Sequence, residues 1–141
     1  MTAKESYEER VLSEETADKV VAMMRVATKE GTSKISMRDI KQQIACKTGT
    51  SDGPRDVSIW CGSPDYLIGI RLGHDDYTVI ELPTYMKRVS GDAEMEVSGG
   101  WVVGPLARKI FDRIYEDREI IEFSENIEMY KEEMLNRYGR H

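Results

Sequence analysis

Apolar positions follow two rhythms along this chain, and the change from one to the other divides it. Ala17, Val20, Val21, Met24 and Ala27 recur at three- and four-residue intervals, the spacing of one helix face. Ser13 precedes them as an N-cap, Glu14 and Glu15 place negative charge in the first turn, and Gly31 supplies a stop. The spacing predicts an amphipathic helix over 14–29 whose Met and Val stripe packs on a core. Residues 35–43 are polar and mixed, a connection. The period then drops to two. Strands are predicted over 43–51, 56–62 and 66–72, with turn residues Asp52-Gly53-Pro54-Arg55 and Ser63-Pro64-Asp65 between them. That order implies an antiparallel meander.

Beyond Gly73, His74-Asp75-Asp76 reads as a solvated loop. Residues 77–97 hold two short β-like pieces, Thr78 to Leu82 and Met95 to Val97, around Pro83 and Gly91; a local hairpin and a flap beside the sheet both fit. Ser98-Gly99-Gly100 leads into Val102, Val103, Leu106, Ile110, Phe111 and Ile114, which predict a helix over 101–117 with Pro105 tolerated in its first turn. From Glu119 the chain is acid-rich, yet Ile127, Tyr130, Met134, Leu135 and Tyr138 form a helical stripe behind Ser124. A docked helix and a partner-binding helix both fit that stripe. The chain thus divides into a polar N-terminal extension (1–12), a folded portion (13–117) and an acidic helical tail (118–141). The fold class is α+β, a three-stranded antiparallel sheet flanked by helices.

Composition narrows the function. A length of 141 residues with 40% hydrophobic and 33% charged residues suits one domain. A net charge of −6 with scattered Lys and Arg argues against a nucleic-acid partner. No apolar run is long enough to span a membrane, and Met1 to Arg10 is too charged for a signal peptide, so any targeting segment or membrane anchor is expected outside this chain. The two cysteines match no zinc spacing, and His74, Asp75 and Asp76 at consecutive positions do not converge easily on one ion. No metal and no cofactor are expected.

The first hairpin carries a finer expectation. If residues 52–55 form its loop, Ser51 faces Asp56 and Thr50 faces Val57, and the same register sets Cys46 opposite Cys61. Two states fit that pair, a cross-strand disulfide or two reduced thiols in contact.

The stretch Ile44-Ala45-Cys46-Lys47-Thr48-Gly49-Thr50-Ser51 concentrates the candidate chemistry. It sets an ammonium, three hydroxyls and a glycine on one strand. Alternation sends Thr48 and Thr50 to one face and Lys47 to the other. Such a strand can hold a carboxylate with its hydroxyls while its backbone pairs with an extended peptide.

Residues 55–76, RDVSIWCGSPDYLIGIRLGHDD, follow this K-T-G-T without a gap in the way the matching segment does in the transpeptidase domain of class A penicillin-binding proteins. Asp56, Pro64, Asp65, Gly69, Gly73, Asp75 and Asp76 fit the family pattern. The helix closing at Gly31-Thr32 resembles the helix and G-T turn that precede K-T-G there, and Ser98-Gly99-Gly100 resembles the family's T-G-G. The resemblance spans about residues 11–117. Cys46 and Cys61 both replace family glycines, while Ser58 and Arg71 replace aromatic positions.

The resemblance implies a D,D-transpeptidase of bacterial peptidoglycan synthesis, in which a serine takes the acyl group of a stem peptide and penicillins acylate the same serine. It implies that Lys47 supplies charge beside that nucleophile and that Thr48 and Thr50 hold the substrate or β-lactam carboxylate. It further implies that the Thr50 N–H donates to the oxyanion and that its carbonyl accepts from the substrate amide, on a strand whose backbone Gly49 leaves uncovered. Its expected location is the periplasmic or extracytoplasmic face of the inner membrane, within a larger membrane-anchored protein.

No S-x-x-K occurs in these 141 residues, and the single S-x-N string, Ser124-Glu125-Asn126, follows K-T-G where the family places it before. The chain alone is therefore expected to be inactive, the C-terminal portion of a transpeptidase domain that provides the K-T-G wall. The alternative is a non-catalytic binding or scaffold module that keeps this part of the fold. An uncovered sheet edge would favour a homodimer.

Overall fold

The computed structural model describes residues 10–81 and 97–138. Helix α1 runs Glu14–Glu30; the Ser13 hydroxyl accepts from the Thr16 N–H at 3.2 Å, and the Gly31 N–H closes the helix onto the Ala27 carbonyl at 3.1 Å. Its buried positions are Ala22, Arg25 and Thr28, whereas Val20 is exposed. The helix is thus rotated from the face its apolar spacing predicts. The cause is Arg25, which is drawn inward by partners described below.

Strands β1 (Ala45–Thr50), β2 (Asp56–Gly62) and β3 (Leu67–Gly73) form one antiparallel sheet in that order. Gly53, at φ 64°, takes the left-handed conformation that the first turn requires. The turn sets the register: Thr50 opposes Val57 and Cys46 opposes Cys61, as the four-residue loop predicts. Strand bounds differ from the expected ones by a residue or two at each end of β1 and by one in β3. Cys46 and Cys61 are joined by a disulfide, both side chains buried.

One face of the sheet carries Cys46, Val57, Ile59 and Cys61 into a core completed by Met37, Ile44, Ile80, Val103, Ala107 and Phe111. The helix expected over 101–117 is two pieces, α2 (Gly99–Val102) and α3 (Gly104–Ile114). Pro105 lies at the start of α3 and has no N–H to continue the ladder from α2, so the axis breaks at Val103. Helix α3 ends at Ile114, three residues early, capped by the Tyr115 N–H on the Phe111 carbonyl.

Helix α4 (Glu125–Tyr138) docks along α1, which answers the open reading of the tail. The segment leading to it is pinned by two glutamines. The Gln42 amide exchanges hydrogen bonds with Ile121, donating at 2.5 Å and accepting at 3.1 Å, and the Gln43 carbonyl accepts from the Phe123 N–H at 2.8 Å.

The β-like piece at Thr78 forms no strand over residues 78–81. Ile80 instead inserts into the core while its N–H donates to the Pro54 carbonyl at 3.0 Å. Leu82 lies outside the described residues, as does the second piece except for Val97, which packs on the core. Of the polar extension, Arg10 to Leu12 are exposed without helix or strand and the rest lies outside the described residues. No described helix is long and apolar enough to cross a membrane.

Candidate functional site

The backbone of β1 has a definite orientation. The Ser51 N–H donates to the Asp56 carbonyl at 2.9 Å, and antiparallel pairs alternate between hydrogen-bonded and open. Lys47 and Gly49 therefore bond to β2, while Cys46, Thr48 and Thr50 turn their N–H and C=O groups away from it. The Cys46–Cys61 Cα distance of 4.2 Å agrees with an open pair. Among the described residues no strand covers that outer side. β1 is an edge strand with the Thr48 and Thr50 amides facing out.

Three short motifs, far apart in the chain, meet at this edge. The Thr32 hydroxyl, from the turn closing α1, lies 2.7 Å from the Thr48 hydroxyl. The Gly99 N–H donates to the Thr50 hydroxyl at 3.3 Å. Gly99 and Gly100 permit this approach because they lack side chains. A Cβ on Gly99 would stand 2.1 Å from the Ser58 carbonyl oxygen, and one on Gly100 would stand 2.1 Å from that of Thr32. Both obstacles are backbone, so the glycines let α2 sit against the sheet at Gly99 and against the turn after α1 at Gly100.

The hydroxyl arrangement bears on chemistry. Thr50 accepts from Gly99, so its own O–H is left to donate. Within the Thr32–Thr48 pair one hydroxyl donates to the other, which leaves one more proton available. Thr32 and Thr50 are exposed and Thr48 is half-buried. The edge thus offers two hydroxyl donors beside two outward amides. Lys47 is exposed on the opposite face, and its ammonium reaches round to the Thr48 carbonyl at 2.5 Å, at the rim of the same edge. These groups can bind a carboxylate by charge and by hydrogen bonds while the amides pair with an extended backbone.

Other residues that carry the resemblance lie elsewhere and hold structure. Asp56 pairs with Arg71 at 2.8 Å on the open sheet face. Asp65 accepts from Ser63 at 3.0 Å and from the Tyr115 hydroxyl; that last bond holds its carboxyl below the ordinary value, and burial of Tyr115 raises the phenol. Asp76 accepts from the Thr78 N–H and hydroxyl, bonds that lower its pKa. Gly69 lies beneath the half-exposed Trp60 ring. Ser124 caps α4, its hydroxyl accepting from Ile127, so Ser124-Glu125-Asn126 is a helix start. Among the described residues no group of three His, Cys, Asp or Glu gathers to hold a metal.

Thr32 and the Gly99 amide are the site groups that local reasoning does not single out as ligands. Each becomes one only through a contact between segments 16 and 49 residues apart. Their sequence signals, a G-T turn and a G-G pair, mark backbone needs and say nothing of hydroxyl pairing. No family model matches the chain, and no curated protein and no solved structure matches it.

Proposed function

We propose that the edge formed by Lys47, Thr48, Gly49 and Thr50 recognises the free carboxylate of an extended peptide, and that it is the K-T-G wall of a penicillin-binding transpeptidase domain. The observation that carries this reading is the meeting of the Gly31-Thr32 turn, the K-T-G-T strand and the Ser98-Gly99-Gly100 turn around two hydroxyls at an edge that no described strand pairs. In this reading the Thr48 and Thr50 hydroxyls hold the carboxylate and Lys47 adds charge. The outward Thr50 N–H donates to the oxyanion and its carbonyl accepts from the substrate amide. The nucleophilic serine comes from outside these residues, which contain no S-x-x-K.

The substrate class is a peptidoglycan stem peptide, or a β-lactam in its place, at the extracytoplasmic face of a bacterial membrane. A buried disulfide suits such an oxidising compartment. The exposed β3 edge, with Leu67 and Leu72 uncovered, is where a second copy or the remainder of such a domain would pair. The lack of S-x-x-K also favours a second reading, a non-catalytic module that binds peptide termini with the same edge.

A fluorescent penicillin separates these from a catalytic chain. Both readings predict reversible binding, displaced by a peptide ending in D-Ala-D-Ala and lost in Lys47→Ala, with no label surviving denaturation. A stoichiometric covalent label would overturn the assignment of the nucleophile, and no displaceable binding would overturn the site.

A further inference from the structure

A second site lies on the far side of α1 from solvent-facing Val20, where α1, the segment entering β1 and α4 meet. Its centre is a buried charge cluster. Arg25, 5% exposed, reaches Glu128 through Nε at 3.0 Å and Nη2 at 2.9 Å, and donates through Nη1 to the Ile44 carbonyl at 3.3 Å. Lys131, 8% exposed, reaches the other Glu128 oxygen at 2.5 Å and Glu132 at 3.0 Å. Buried Arg and Lys are uncommon unless paired, and here both share the half-buried Glu128 carboxylate.

Beside this cluster opens a pocket of about 240 Å³, into which Lys29 and Lys41 also project. Neither lysine has an ion-pair partner among the described residues. Gln43 lines it too; its carbonyl is taken by Phe123, which leaves its amide N–H groups to donate. Among the described residues, the pocket lining brings together the four cations Arg25, Lys29, Lys41 and Lys131 and one carboxylate, Glu128, with Glu132 paired to Lys131 beside it. Two positive charges remain uncompensated, in a chain whose net charge is −6. A pocket whose surplus charge is positive concentrates anions.

We infer that this pocket binds a phosphate group. A dianionic oxyanion balances the surplus charge, and its several acceptor oxygens match the ammonium, guanidinium and amide donors on different walls. A monocarboxylate would leave one charge unmatched. The group can arrive as the free ion or as a monoester on a larger molecule. The site is separate from the β1 edge and stands whether or not that edge binds peptides.

The test is a titration of the full chain with inorganic phosphate and, separately, glycerol 3-phosphate, against chloride at matched ionic strength. It is read by the backbone amide resonances of residues 41–44. Saturable shifts absent with chloride are expected. Phosphate alone shifting them identifies the free ion, and both shifting them identifies the group on an ester. Lys29→Gln/Lys41→Gln changes two exposed residues and leaves the buried cluster intact; binding should weaken roughly tenfold or more. Lys34→Gln, outside the pocket and paired with Glu30, should bind as the parent does. No saturable response, or equal weakening by the Lys34 change, would overturn the proposal.

Discussion

Cys46 and Cys61 oppose each other across β1 and β2, with their sulfurs bonded and their side chains shut in the core. The bond immediately precedes Lys47, so it fixes the register of the strand that presents the candidate site. A slip of one residue would send Lys47 to the core face and both threonines away from Thr32 and Gly99.

The disulfide spans 15 positions of sequence, and closing such a loop stabilises by about 3 kcal/mol in the chain-entropy account. Cys46→Ala/Cys61→Ala is expected to lower the unfolding free energy in urea by roughly that amount. Alkylation of the denatured, unreduced chain should label no thiol; two labelled thiols on intact mass analysis would contradict the pairing.

Glu128 is the pivot between α1 and α4. Its removal as Glu128→Gln leaves Arg25 and Lys131 buried against a neutral amide and should cost about 3–5 kcal/mol. Glu30→Gln, at an exposed i,i+4 pair, should cost at most about 0.5 kcal/mol. Burial pulls the Glu128 carboxyl upward, but the hydrogen bonds and charges of Lys131 and Arg25 outweigh it and hold its pKa below 4.5. A lowered folded pKa means a contribution present above pH 4.5 and lost as pH falls through the folded value. Parent and Glu128→Gln stabilities should therefore converge in acid, which urea midpoints across that range will show.

Gly99 and Gly100 carry a reversal of the usual helix rule. Replacing glycine by alanine within a helix ordinarily stabilises by about 1 kcal/mol. Here the added carbon meets backbone carbonyl oxygens at 2.1 Å, so α2 must lift from the sheet at Gly99 or from the Thr32 turn at Gly100. Gly99→Ala and Gly100→Ala are each expected to destabilise by about 1–3 kcal/mol, measured by urea unfolding. A gain in stability would show that the contact is not tight.

The hairpin was legible because its information is local. A four-residue turn with Gly53 at its bend sets the register of every later pair, and the cysteine opposition follows from counting. α1 was legible in extent, from Ser13 and Gly31, but not in rotation. Its inward face is set by Arg25 reaching a carboxylate 103 residues away, and nothing near Arg25 announces that partner. The break at Val103 was missed, because a helix started at residue 101 puts Pro105 in its first turn; the observed start at Gly99 makes Pro105 interrupt the ladder instead. The piece from Thr78 has strand composition, yet over its described residues 78–81 no ladder forms, and among them Ile80 finds a backbone partner in Pro54. Within the site, Lys47 to Thr50 could be marked by residue type, whereas the hydroxyl of Thr32 and the amide of Gly99 required the fold.

A peptide carboxylate held at the outer edge of β1, as proposed, must perturb the amides of that edge. The most direct measurement is a two-dimensional amide spectrum of the chain titrated with a peptide ending in D-Ala-D-Ala and with the same peptide amidated at its C-terminus. Saturable shifts are expected at Thr48, Gly49, Thr50 and Gly99 with the free acid, much weaker with the amide. Equal shifts with both peptides, or none at these four amides, would contradict it.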